Sequence, residues 1–168
     1  MKLKLSILIV SIFILSASCK VNYSFTGGSV DPKIKTVSIQ YFPNNAPIVV
    51  ATLSQTFTQA LRDRFTTQTR LALVNYNGDM DIEGSITGYA VQPEAIQGNQ
   101  TAALNRLTIT VNVKFTNKID EKQNFEQSFA RYEDYPSSQN LSSVQEGLIQ
   151  DISSALIDDI YNKTVVNW

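Results

Sequence analysis

The stretch "LNRLTITVNVKFTN" (104–117) decides the fold. Leu107, Ile109, Val111, Val113 and Phe115 alternate strictly with Thr108, Thr110, Asn112, Lys114 and Thr116. Successive strand side chains point to opposite faces, so this is a long strand with one apolar and one polar face. "KIDEK" (118–122) turns the chain and "QNFEQSFARYEDY" (123–135) returns beside it. Upstream, "RLALVNYNGDMDIEGSITGYAVQ" (70–92) reads as a short strand, a turn at Asn77-Gly78 and a longer strand. "KTVSIQYF" (35–42) places Val37, Ile39 and Tyr41 on one face and Thr36, Ser38 and Gln40 on the other, and "PNNAP" (43–47) ends it.

Two segments change period. Leu53, Phe57, Leu61 and Phe65 recur at helical spacing, with Ala60 and Arg64 beside them. Leu141, Val144, Leu148, Ile152, Leu156 and Ile160 form a second apolar stripe, and Ser143 and Glu146 have the spacing of a capping box at its start. The order is β-α-β-β-β-α. Strands adjacent in sequence pair as antiparallel hairpins. The expected fold is α+β: a two-layer sandwich with a roughly four-stranded, mainly antiparallel sheet and two amphipathic helices on one face. The other sheet face, carrying Thr, Asn, Lys and Gln, is left to water or a partner.

The first twenty residues bear on location. Lys2 and Lys4 precede an apolar run, Leu5 to Leu15, that is too short for a membrane span of roughly 20 residues. The chain's only cysteine, Cys19, follows in "LSASCK" (15–20). Small residues ending in Cys form the pattern of a bacterial lipobox, in which the thiol is acylated (palmitate among the chains attached) and the Cys becomes the first mature residue. Ser16 stands where a strict lipobox has Leu. An unpaired thiol in an exported protein is a liability unless it is modified, and several acyl chains on one Cys make a stable anchor. Residues 1–18 are thus expected to be a lipoprotein signal peptide, 19–34 the lipidated N-terminus and tether with Gly27-Gly28 and Pro32, and 35–168 a single domain.

Composition excludes several chemistries. The chain has no histidine, so Ser-His-Asp and Cys-His nucleophile systems and His-containing zinc sites are absent. Without Lys2 and Lys4, 12 basic residues face 15 acidic ones, which argues against a nucleic-acid partner. Neither a phosphate-binding nor a dinucleotide-binding glycine motif occurs. Asp79, Asp81 and Glu83 would share one strand face and could offer oxygens to calcium, but the plainer reading is an acidic solvent face. Glu133-Asp134 and Asp158-Asp159 are sequence neighbours whose side chains diverge, which does not suit general acid–base work. The expectation is no enzyme, no metal and no cofactor. Arg106, Lys114 and Lys118 lie on or beside one strand; they could meet an anionic lipid head group or simply keep a solvated face soluble. Tyr41, Tyr89, Tyr132, Tyr135 and Trp168 are either interface anchors or core.

"CKVNYSFTGGS", "KTVSIQYFPNNAP", "LSQTFTQALRDRF", "AALNRLTITVNVKFTN", "NFEQSFARYEDY" and the "VVNW" end, in this order, resemble the lipopolysaccharide-assembly lipoprotein family LptE, in its divergent form, over essentially the whole mature chain. The resemblance implies two helices packed on a four-stranded sheet. It implies an outer-membrane lipoprotein, anchored at Cys19 and facing the periplasm or a barrel lumen, that plugs and helps assemble the LptD-type β-barrel translocon for lipopolysaccharide transport to the cell surface. Lys20 after the Cys, where inner-membrane retention uses Asp, is compatible with that location. Arg106, Thr110, Asn112, Lys114, Thr116 and Lys118 become candidate contacts to the barrel or to lipopolysaccharide. The alternatives are a periplasm-facing adaptor lipoprotein of another envelope assembly, or a carboxylate-using hydrolase with two carboxylates about 5–10 Å apart in a cleft.

Overall fold

A computed structural model describes residues 30–94 and 103–166. The signal peptide, Cys19, most of the tether and Trp168 lie outside the described residues. Elements run β1 (Thr36–Ile39), α1 (Leu53–Gln68), β2 (Ala72–Val74), β3 (Met80–Glu94), β4 (Leu104–Asn117), β5 (Phe125–Pro136) and α2 (Leu141–Tyr161). They form a five-stranded sheet in the order β2-β1-β3-β4-β5 with both helices on one face.

The α+β reading stands, with a difference in the sheet. β3, β4 and β5 are antiparallel, but β1 lies between β2 and β3 and runs parallel to both. Helix α1 carries the chain back after β1, so β2 enters in the same direction. The Asn77-Gly78 segment therefore does not close a hairpin. Asn77 takes a left-handed φ of 58°, and the Gly78 N–H donates to Ser38 Oγ at 2.9 Å. A Cβ on Gly78 would lie 2.6 Å from both Met80 O and Ser38 N, so only glycine lets the chain pass this close to β1.

Strand β4 is as read: Leu107, Ile109, Val111, Val113 and Phe115 are all buried beneath the helices. In β1, Val37 and Ile39 are buried, but Tyr41 is 56% exposed. The strand ends at Ile39 and the chain then follows β3 irregularly, with Phe42 taking the inward place against Phe57 (ring centroids 5.3 Å). In α1, Leu53, Phe57, Leu61 and Phe65 are fully buried. Each contributes about 1.5–3 kcal/mol relative to exposure.

The second helix departs from its reading in two ways. Asn140, not Ser143, is the N-cap; its Oδ1 accepts from the Ser142 N–H at 3.1 Å. Ser143 is already the third helical residue, and its hydroxyl donates to Asn140 O at 2.6 Å. The buried stripe is Ile149, Ile152, Leu156, Ile157 and Ile160, whereas Leu141, Val144 and Leu148 are only partly buried. Stepping strictly by four residues drifts around a helix of 3.6 residues per turn, so the expected stripe leaves the core at its N-terminal end.

The paired acidic residues serve packing. Asp158 pairs with Arg64 across the two helices. Asp159 receives both Arg131 Nε and Nη2 at 2.6 Å and ties α2 to β5. No helix among the described residues is long and apolar enough to cross a membrane.

Candidate functional site

The sheet face away from the helices is built from cross-strand rows of β3, β4 and β5. Register places Ser85–Asn112–Ser128 and Gly88–Thr110–Ala130 side by side at its centre. Towards one end lies the row Gln92–Arg106–Asp134; towards the other lies Glu83–Lys114–Glu126. A bulge at Ile86/Gly88 shifts the alternation of β3, which keeps polar or small residues on this face along the whole strand. The two charged rows are eight β4 residues apart, about 26 Å, with small side chains between them.

Both cations of this face are already paired. Arg106 binds Asp134 with two hydrogen bonds, Nε to Oδ1 at 2.8 Å and Nη2 to Oδ2 at 2.9 Å. Its Nη1 lies 3.2 Å from Glu94 Oε1, and its guanidinium stacks 3.7 Å from the Tyr132 ring centroid. The Asp134 hydrogen bond raises the Arg106 pKa, and the same bond holds the Asp134 carboxyl below its ordinary value. Lys114 Nζ donates to Glu83 Oε1 at 2.6 Å, which raises the lysine pKa, and Asn112 Nδ2 donates to Glu126 Oε1 at 3.0 Å. Five carboxylates (Asp81, Glu83, Glu94, Glu126 and Asp134) share this face with two cations, so its character is polar and mildly acidic. An anionic head group would have to displace carboxylates to reach Arg106 or Lys114.

The candidate contacts thus divide. Arg106, Thr110, Asn112, Lys114 and Thr116 share the face. Lys118 lies just beyond β4, where its backbone N–H donates to Asp79 O at 2.9 Å. The acidic run does not converge: Asp79 accepts from Lys35 and Thr36, Asp81 accepts from Ser38 Oγ, and Glu83 accepts from Lys114. Among the described residues no group of three or more potential ligands is placed to hold a metal ion. Of the tyrosines, Tyr89 and Tyr135 are core, and Tyr41 and Tyr132 are exposed. Sequence reasoning left Tyr132 between interface anchor and core, and missed Asp134, Glu94 and Glu126 as parts of the face. Their even spacing along β3 and β5 opposite the polar side of β4 is the signal that could have found them.

The described residues form a two-layer α+β domain whose second sheet face is polar, mildly acidic and covered by neither helix, so it is available to a binding partner. The family model described as "LptE: Lipopolysaccharide-assembly" matches residues 34–164. No curated protein matches the chain. Similar solved structures include a minor lipoprotein from Acinetobacter baumannii (14% identity, 79% of this chain and 97% of that chain covered, TM-score 0.48). Another is the rare lipoprotein B from Shewanella oneidensis (10% identity, 77% and 90% covered, TM-score 0.45). A third is the PelC dodecamer from Paraburkholderia phytofirmans (9% identity, 83% and 96% covered, TM-score 0.48). The chain belongs to the LptE family of lipopolysaccharide-assembly lipoproteins.

Proposed function

We propose that this protein is a non-enzymatic outer-membrane lipoprotein, tethered through acylated Cys19, that occupies the lumen of an LptD-type β-barrel and supports its assembly for lipopolysaccharide export. The observation that carries the reading is the uncovered sheet face, read together with family membership. A barrel interior is polar, so a plug inside it must present polar groups and bind through many hydrogen bonds around a few anchors. The Gly88–Thr110–Ala130 row offers a flat, hydrogen-bonding centre, and the Arg106 and Lys114 rows supply ends fixed by ion pairs. Because both cations are paired, contact with the barrel wall suits this face better than capture of a phosphate.

The test is site-specific photo-crosslinking in cells from Thr110, Asn112 and Thr116 and from exposed positions on both helices. Adducts with one outer-membrane barrel of high mass, together with misassembly of that barrel on depletion, are the expected result. If no face yields a barrel adduct while barrel assembly and surface lipopolysaccharide survive depletion, the adaptor reading takes its place.

A further inference from the structure

Among the described residues, one edge of the three-stranded half of the sheet has no backbone partner. On β3, β1 pairs with Met80–Ile82 alone, and the irregular segment after it follows β3 as far as Ile86, whose N–H donates to Pro43 O and whose carbonyl accepts from Asn45 N–H. Beyond Ile86 the partners of Gly88–Glu94 all lie on β4, and among the described residues no backbone bond reaches the other side of this stretch. A strand alternates the direction of its backbone groups. The outward bonds at Ile82 and Ile86, carried through the bulge, leave Tyr89 and Val91 with N–H and C=O pointing away from β4. Pro93 falls at the next outward position, where its missing N–H costs no ladder bond and where the pairable stretch stops.

Soluble proteins guard strand edges with charge, proline, shortness or cover. The two outermost strands obey this rule: β2 has three residues, and β5 carries Glu126, Arg131, Glu133 and Asp134. The stretch "TGYAVQ" (87–92) carries neither charge nor proline, and no described residue pairs with its outer edge. One exposed apolar side chain, Val91 (37% exposed), lies on the stretch itself.

We infer that the β3 edge at Gly88–Gln92 is a strand-addition site for an extended, uncharged polypeptide segment of the partner protein, with Val91 contacting its side chains. A second copy of this chain is a poor occupant. Self-pairing over five residues gives about four backbone bonds and far less than the ~1,000 Å² of a specific interface. A segment of a partner already held by other surfaces needs no such area, because its effective concentration is high. This inference rests on the barrel reading: a closed barrel wall has no free edge, so the added strand must be a loop or terminal segment projecting into the lumen.

The experiment uses the full lipidated chain in cells, with a benzophenone amino acid at position 91, at position 87, or at Thr110 as a sheet-face reference, and the variants Val91→Pro and Val91→Lys. Val91→Pro removes an outward donor but no bond to β4. The expected result is adducts from 87 and 91 to one contiguous barrel segment, and about tenfold less co-purified barrel for both variants with little change in melting temperature. If Val91→Pro melts far lower, the adducts from position 91 decide alone. Barrel adducts from Thr110 but none from 87 or 91, with undiminished co-purification by both variants, would overturn strand addition and leave the plug reading intact. Adducts of two copies of this chain from position 91 would also overturn it. No barrel adduct from any position would remove both.

Discussion

Asp79 and Thr36 clamp each other. The Asp79 carboxylate accepts from the Thr36 N–H and from its hydroxyl, both at 2.9 Å, while the Thr36 hydroxyl oxygen accepts from the Asp79 N–H, also at 2.9 Å. The Lys35 N–H donates to the same carboxylate oxygen at 2.8 Å. An acidic residue that reads as solvated surface is therefore what fastens the start of β1 to the start of β3. Asp79→Ala strands these donors and is expected to cost about 1–2 kcal/mol in chemical denaturation. This revises the reading of Asp79, Asp81 and Glu83 as one acidic solvent face.

The same clamp sets a pH dependence. Backbone hydrogen bonding from Lys35, then the Thr36 hydroxyl and N–H, hold the Asp79 pKa below the ordinary 3.8. A depressed carboxylate contributes its stability above the unfolded value and loses it as pH falls through the lower folded value. Wild type should therefore lose stability more steeply than Asp79→Asn as pH drops below about 4, with the two curves parallel near neutrality. A titration of melting temperature from pH 7 to 2 checks this, and parallel curves throughout would contradict the clamp.

Leu148 and Leu156 stand on the same expected stripe but at different depths. Leu156 is fully buried and Leu148 only partly. Leu156→Ala should cost about 2–5 kcal/mol and Leu148→Ala clearly less, since cavity cost follows burial. Equal losses in urea unfolding would mean that the N-terminal half of α2 packs more deeply than described.

Gly84 is a backbone constraint with no side-chain role. A Cβ there would collide with the Asn112 carbonyl and come 2.7 Å from Phe42 Cε1. Gly84→Ala should destabilise by about 1–3 kcal/mol through forced displacement of β4 or Phe42. Gly147, with nothing near its missing Cβ, is the control: Gly147→Ala should stabilise α2 by up to about 1 kcal/mol.

What was legible in the sequence is what depends on one element at a time. The alternation of β4 marks its two faces because a single long strand lies between core and solvent. The stripe of α1 reads correctly because four large apolar residues at helical spacing leave no other face to bury. The insertion of β1 between β2 and β3 was not legible, since it joins segments about 40 residues apart through a parallel crossover. The end of β1 before Tyr41 depends on Phe42 reaching Phe57, which no local pattern encodes. The site divides the same way. Arg106, Asn112 and Lys114 are visible as the polar side of one strand, but their partners Asp134, Glu126 and Glu83 appear only once the register of β3 and β5 is known.

Lipidation lies outside the described residues and is predicted from sequence alone. Cys19→Ala should leave the protein as uncleaved precursor or release it into the periplasm, and mass spectrometry of the wild-type N-terminus should show acylation. A free thiol at Cys19 in the native protein would refute it.

The centre of the open face yields the sharpest mutational contrast. Thr110 lies between Gly88 and Ala130, the smallest neighbours on this face, and a Cβ on Gly88 would already come 3.0 Å from Thr110 Cβ. Nothing from the helices reaches this side, so bulk added here protrudes and leaves the core untouched. Thr110→Trp should fold with a near-normal melting temperature, because its cross-strand neighbours leave room above them. It should nevertheless lower barrel co-purification by about tenfold or more, since one central clash prevents the whole face from closing. Glu126→Ala, at the rim, removes one hydrogen bond from Asn112 and should change co-purification by less than about threefold. Measuring both variants in one detergent extract, with surface lipopolysaccharide as the second readout, separates a wall-contacting face from a solvated one. A Thr110→Trp protein that folds, co-purifies the barrel at the wild-type level and supports normal surface lipopolysaccharide would show that the barrel meets this chain elsewhere.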